Sequence, residues 1–227
     1  MNLSMCLWIA VGVLVSGREV AQAGEPPLSQ AEATLEPEFR QLRATLSARP
    51  EFNGTDADSK YRLARELAHR GDVEGAVESY RAAIHLKPQW AEPYHGLGQV
   101  FLDHHDYALA VETFQTSIRL GRDDSQAFYW LGRAYMGKGE LAPAAVALEQ
   151  AIRLKPDDAE AYADLGLVCM ANGDIAAAGQ ALTASIQLKP DYAEAHRLRE
   201  QLEKARGEAP QAKQAGLAEL KNLFGRE

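Results

Sequence analysis

Four consecutive residues, Asp103-His104-His105-Asp106, form the densest group of potential metal ligands in the chain. Imidazole and carboxylate are common donors to zinc, and histidine changes charge near neutral pH. Adjacent residues rarely turn both rings onto one ion, and His69, His85, His95 and His196 are scattered without ligand spacing. No metal site is expected. Gly96-Leu97-Gly98 lacks the third glycine and the preceding strand that a dinucleotide site requires. Asn53-Gly54-Thr55 matches a glycosylation acceptor, but such tripeptides are common and a loop explains it. The sequence offers no nucleophile with its base, no convergent carboxylates and no phosphate loop. No catalytic residue, cofactor or small-molecule substrate is therefore expected.

The elements that hold these residues follow from an internal repeat. Between Ala57 and Tyr192 the chain repeats at a spacing of 34, in units of residues 57–90, 91–124, 125–158 and 159–192. Each unit carries Ile84, Ile118, Ile152 or Ile186 and then Leu86, Leu120, Leu154 or Leu188 at one phase. Pro88, Pro156 and Pro190 follow, with Arg122 as the exception. Each unit reads as two helices. In the third, Phe128, Leu131, Gly132 and Tyr135 recur at i, i+3, i+4 and i+7, one apolar stripe. Gly139 breaks that helix, and Glu140 is expected to supply a side-chain acceptor at the start of the next. Ala144, Leu148, Ala151 and Ile152 share a face of the second helix, which Pro156 stops. Gly98, Gly132 and Gly166, with Ala64, are expected at the helix crossings, opposite Ala76, Ala110, Ala144 and Ala178. His104-His105-Asp106 falls on the turn inside the second unit, matching Arg70-Gly71-Asp72, so His105 replaces a turn glycine.

These positions carry a resemblance to the tetratricopeptide repeat family. The third unit fills its pattern with Phe128, Leu131, Gly132, Tyr135, Ala144, Leu148, Ala151 and Pro156. The second offers Tyr94, Leu97, Gly98, Phe101, Ala110, Phe114 and Ser117; the fourth Tyr162, Leu165, Gly166, Cys169, Ala178, Leu182, Ser185 and Pro190. The first begins weakly, with Lys60 and Ala64, but keeps Leu63, Leu67, Ala76, Tyr80, Ala83 and Pro88. The match covers about 60% of the chain. It implies an all-α, right-handed α-solenoid of helix-turn-helix repeats, each unit stable only against its neighbours, with a C-terminal capping helix. Cys169 occupies an aromatic core position of the family, which implies a buried, inert thiol.

The resemblance also implies a concave groove, lined by the first helix of each unit, that takes an extended peptide or a partner's helix. Its exposed places are the fifth and ninth of each unit, one turn apart on one face. One row is then Tyr61, His95, Tyr129, Ala163 and Arg197; the other is Arg65, Gln99, Arg133, Leu167 and Gln201, with Met170 alongside. An aromatic and cationic ladder in three units suits stacking and pairing with carboxylates. Solvated edge positions with tyrosines covering helix crossings are the plainer account of the same residues. Members that clamp a C-terminal carboxylate carry Lys and Asn where this chain has Tyr61 and Arg65, so no such clamp is expected.

Flanking segments differ in character. From Met5 to Val15 the sequence is unbroken apolar, too short to span a bilayer comfortably, and Ala21-Gln22-Ala23 follows. This pattern predicts a signal peptide over residues 1–23, although no Lys or Arg precedes the apolar run. An uncleaved N-terminal anchor, the only membrane contact expected, or a wrongly assigned start codon are the other readings. Cys6 lies inside the signal, leaving Cys169 alone in the mature chain, so packing rather than a disulfide must hold the fold. Residues 24–56 read as a linker over Gly24 to Gln30 and a helix over Glu36 to Ala48, with Phe39, Leu42 and Leu46 on one side. Residues 193–227 have the repeat length without its signature, because Arg199, Glu200 and Glu203 occupy core positions; they read as capping helices. Leu217, Leu220, Leu223 and Phe224 predict a final amphipathic helix. A net charge of −8 speaks against a nucleic-acid partner, since phosphate binding needs clustered cations.

Together these features predict an exported scaffold or adaptor, periplasmic in the sense of bacterial envelopes, that binds protein or peptide partners. The alternative is a non-catalytic regulatory subunit of an envelope or sugar-transfer enzyme complex.

Overall fold

A computed structural model describes residues 28–204 and 209–225. The expected signal peptide lies outside them, as does the expected linker up to residue 27. All described secondary structure is helical. Two compact units divide at Leu42 and Arg43. In the first, α1 (Leu28–Ser47) starts eight residues ahead of the expected Glu36 and carries Pro37 in its interior. The last residues of α1, from Arg43, belong to the second unit.

The second unit is built from paired helices. They are α2 (Ala57–His69) with α3 (Val73–Leu86), α4 (Ala91–Asp103) with α5 (Tyr107–Arg119), α6 (Ser125–Lys138) with α7 (Leu141–Leu154), and α8 (Ala159–Asn172) with α9 (Ile175–Leu188). Two more follow, α10 (Ala193–Lys204) and α11 (Ala209–Phe224). Each pair packs together, and each second helix packs on the first helix of the next pair. This is the α-solenoid that the repeat predicts.

Aspartates start these helices by accepting from the backbone N–H three residues on. Asp56 takes Ser59 N at 3.0 Å, Asp124 takes Ala127 N at 2.7 Å, and Asp174 takes Ala177 N at 2.9 Å. Glu140 makes no such bond, and neither does Asp106 at the start of α5. The turns between paired helices need a left-handed residue: φ is 80° at Gly71, 62° at His105, 81° at Gly139 and 86° at Gly173. His105 is the non-glycine among them, which is the substitution its place in the repeat implies.

The crossings explain the missing side chains. A Cβ on Gly132 would stand 2.8 Å from Leu148 Cγ, and one on Gly166 2.7 Å from Leu182 Cγ. The nearest atoms are thus Leu148 and Leu182 rather than the alanines beside them, although Ala144 and Ala178 are fully buried. Where two units have serine for the family's second alanine, the hydroxyl ties the pair: Ser117 Oγ donates to Ala91 O at 2.9 Å and Ser185 Oγ to Ala159 O at 2.7 Å. The unit without proline ends its second helix at Arg119, one residue earlier in register than the others, and turns at Gly121 with φ 99°.

The two ends of the stack are finished differently. Leu46 of α1 is buried, and Arg43 donates twice to the buried N-cap Asp72, at 2.6 Å to each oxygen. At the other end α10 packs on α9 as a fifth first helix would. Arg199, Glu200 and Glu203 then stand where the third unit has Leu131, Gly132 and Tyr135 facing its second helix. No second helix covers them; a cleft of about 550 Å³ between α9 and α10, lined by Gly179, Thr183, Arg199, Leu202 and Glu203, takes that place. Helix α11 instead lies against α8, with smaller contacts to α6 and α10, all first helices.

Candidate functional site

The first helices α2, α4, α6, α8 and α10 present the two rows of residues expected to line a groove, and α11 divides those rows into an open part and a covered part.

The open part belongs to the first two units. Tyr61 is half-buried, its ring 4.8 Å from Trp90 and 6.0 Å from the buried Tyr80. Arg65 is exposed, its guanidinium 5.8 Å from the Tyr61 ring centroid. Lys87 lies 5.1 Å from the Trp90 ring and pairs with Asp58 at 2.6 Å. Tyr61, Trp90, Arg65 and Lys87 thus make an aromatic shelf with a cation on each ring. On α4, Gln99 is half-buried, while His95 is buried at 6% exposure. Neither ring nitrogen of His95 has a hydrogen-bond partner, and its ring stands edge-on to Phe114 at 5.3 Å. Burial, reinforced by the charge of Arg122, pushes its pKa down to about 4, so it is a neutral ring in the wall.

The covered part belongs to the third and fourth units. Arg133 lies 3.7 Å from Asp164, and the half-buried Tyr129 stands with its ring 5.2 Å from Trp130. Asp164 is 14% exposed, and its burial outweighs the attraction of Arg133, raising its pKa to about 6. The Arg133 guanidinium lies between rings, 5.6 Å from Trp130 and 5.8 Å from Phe224 of α11. Leu167 and Met170 are fully buried. Gly216 explains how α11 comes so close: a Cβ there would land on the backbone nitrogen of Ala171 and stand 2.7 Å from the carbonyl carbon of Met170. One turn on, Glu219 is buried and accepts from Arg197 at 2.6 Å and from Gln201 at 3.4 Å. The bond from Arg197 holds the Glu219 carboxyl below its ordinary range. Phe224 closes the helix, its ring 5.6 Å from Tyr107 and its carbonyl accepting from the Tyr107 hydroxyl at 2.6 Å.

Of the nine residues expected to line the groove, Tyr61 and Arg65 therefore form part of the open shelf, and Gln99 is half-buried on α4. Arg133 and Arg197 touch α11, Leu167 and Met170 lie beneath covered surface, Tyr129 is half-buried beside Trp130, and His95 is walled in. The positional reasoning that found them did not find Trp90, Lys87, Asp164 or Tyr107, which sit off the fifth and ninth places. Tyr107 begins a second helix and reaches α11 only because that helix crosses the first helices. The final helix buries Ala212, Gly216, Glu219, Leu220 and Phe224, while Leu217 is 43% exposed. Cys169 is half-buried, and burial pushes its thiol up to about 11. Among the described residues no three His, Cys, Asp or Glu side chains converge to hold a metal, and no helix is long and apolar enough to cross a membrane.

Comparison with known proteins agrees with this geometry. Models described as TPR repeat match residues 64–104 and 132–173, and models described as tetratricopeptide repeat match residues 95–148 and 159–192. No curated protein matches the sequence. Among solved structures, YrrB, described as a TPR protein with an unusual peptide-binding site, is similar at TM-score 0.62 and 22% identity, over 83% of this chain and 93% of that one. MamA is similar at TM-score 0.62 and 26% identity, over 75% of this chain and 96% of that one. A mutant O-GlcNAc transferase from Thermobaculum terrenum shares the fold at TM-score 0.53 and 20% identity, over 58% of this chain and 26% of that one.

Proposed function

The chain belongs to the tetratricopeptide repeat family, and from that premise we propose that it is an exported, non-catalytic adaptor that binds a partner segment on the face of its first helices. The observation that carries this reading is the open shelf of Tyr61, Trp90, Arg65 and Lys87. Its rings are held against one another, so little side-chain freedom is lost when a partner docks. The exposed Arg65 guanidinium has no carboxylate paired to it among the described residues, which leaves its donors for an acidic partner group. Aromatic and arginine side chains so placed are the usual anchors of binding energy. Peptide binding by YrrB is a property of that protein; here it serves as an instance of what the same fold can do. Export rests on the apolar run from Met5 to Val15 and the Ala21-Gln22-Ala23 that follows.

Affinity capture by the full chain, compared with capture by Tyr61→Ala and Arg65→Ala chains, tests the reading. Loss of about tenfold in affinity for one stoichiometric partner is expected from either substitution. Capture that both variants leave unchanged would remove the shelf as the binding site.

A further inference from the structure

The position of α11 is not that of a cap. A cap would cover the exposed end of the stack, over Arg199, Glu200 and Glu203, where a cleft stands open. Helix α11 lies instead across α8 and α6, on the face that the family uses for partners. Its fit there has specific chemistry. Gly216 allows backbone to meet backbone at Met170 and Ala171. Glu219 brings a carboxylate to Arg197, Leu220 is buried beside it, and Phe224 stacks by Arg133 and Tyr107. Positions 216, 219, 220 and 224 are spaced i, i+3, i+4 and i+8, one stripe of a single helix.

We propose that the first-helix face over the third and fourth units is a helix-binding surface whose resident occupant is α11, and that a partner takes it with an amphipathic helix of the same pattern. That partner helix carries glycine at the close approach, an acidic residue three positions on for Arg197, a leucine-like residue at four and an aromatic at eight. The inference rests on the reading that this face receives partners, and it adds the class of partner and its control. Arg133 and Arg197 give the surface its cationic side, and Leu167 and Met170 form its floor. Because α11 is attached to the chain, an incoming helix competes with a neighbour of high effective concentration. The apparent affinity is reduced by the fraction of molecules in which α11 is docked, so binding strengthens as α11 is loosened.

Gly216→Ala separates docking from helix formation. Alanine raises intrinsic helix propensity, yet its Cβ meets backbone that cannot move aside as a side chain would. The probe is a labelled synthetic peptide of residues 209–224, followed by fluorescence anisotropy against the full-length chain. We expect the peptide to bind the Gly216→Ala chain at least tenfold tighter than the unaltered chain, whose surface is filled. A peptide carrying Gly216→Ala itself is expected not to bind either. Equal affinity for both chains, or no capture by the variant, overturns the proposal. Far-ultraviolet circular dichroism confirms that the variant is folded; if it is not, Phe224→Ala, which loosens the far end of α11, is used in its place with the same expectation. Concentration-dependent dimers of the unaltered chain that Gly216→Ala abolishes would make a second copy the occupant and overturn the partner assignment. Since the peptide needs no outside partner, this result is independent of capture at the Tyr61–Arg65 shelf.

Discussion

His95 and Asp164 are two buried groups whose titrations oppose each other, and together they predict a pH response that single substitutions unmask. Burial lowers His95 from its ordinary 6.5 to about 4, with Arg122 adding to the effect and Asp124 acting against it. The unfolded chain therefore binds a proton that the folded chain refuses between those values. This contribution is fully present above pH 6.5 and is lost as pH falls toward 4. Going from pH 7.5 to pH 5 it removes about 2 kcal/mol. Asp164 runs the other way. Burial raises it from 3.8 to about 6, against the pull of Arg133 and with Glu194 and Glu160 adding to it. Here the folded chain binds the extra proton, so stability rises as pH falls through 6, by about 1.4 kcal/mol at pH 5.

In the unaltered chain the two act in opposite directions, so its pH response is smaller than that of His95 alone. Asp164→Asn leaves His95 unopposed, so that chain should melt about 4–8 °C lower at pH 5 than at pH 7.5. His95→Leu leaves Asp164 unopposed and should melt about 3–6 °C higher at pH 5. Thermal melts followed by circular dichroism at the two pH values measure both. The constant cost of each substitution, including the loss of a partner for Arg133, drops out because only the pH difference within one variant is compared. An Asp164→Asn chain that melts at the same temperature at both pH values would refute the assignment of a neutral, desolvated His95, and one that loses no more than the unaltered chain would refute a raised Asp164.

Two further substitutions test the packing. Asp72 is 1% exposed, caps α3 through Gly75 N and accepts twice from Arg43, so Asp72→Ala should cost about 3 kcal/mol and lower the melting temperature by about 6–12 °C. Arg43→Ala added to it should cost little more, and a double-mutant cycle showing additive losses would dissolve the pair. Gly132→Ala sets a Cβ 2.8 Å from Leu148 Cγ and should cost about 1–3 kcal/mol in denaturant titrations, whereas Val146→Ala, on a residue 58% exposed, should stay within about 0.5 kcal/mol.

The repeat made most of the fold legible, because a helix pair's constraints are local and recur. Glycine at 132 and 166 has to be small for one reason each time, and His105 could be placed in a left-handed turn by counting from Gly71. Helix starts were less legible. Glu140 looked like a cap by type and makes no cap bond, and neither does Asp106, although Asp72 and Asp174 at the same place in their units do. Groove residues were legible as positions and illegible as environments. Tyr61 and Tyr129 hold the same place in their units, yet one borders an open shelf and the other stands against Trp130, whose neighbour Arg133 reaches Phe224 of α11. That difference comes from α11, which no repeat position encodes.

Why α11 goes where it does can still be argued from residues. A segment of repeat length following α10 would, by its register, pack a second helix on Arg199, Glu200 and Glu203. Burying three charged side chains under an apolar helix stripe is heavily disfavoured unless each is paired. Here Arg199 bonds Glu203 at 3.4 Å and Thr183 at 3.0 Å, and Lys204 bonds Glu200 at 2.7 Å, an arrangement that keeps their outer surfaces wet. The apolar stripe of α11 needs another apolar floor, and Leu167, Val168 and Met170 of α8 supply one. The charges that deny the chain a fifth repeat are thus the same ones that send its last helix to the face of the first helices. Replacing Arg199, Glu200 and Glu203 with the Leu, Gly and Tyr of the third unit would give α11 a second home, and the balance between the two would set how much of that face stands free.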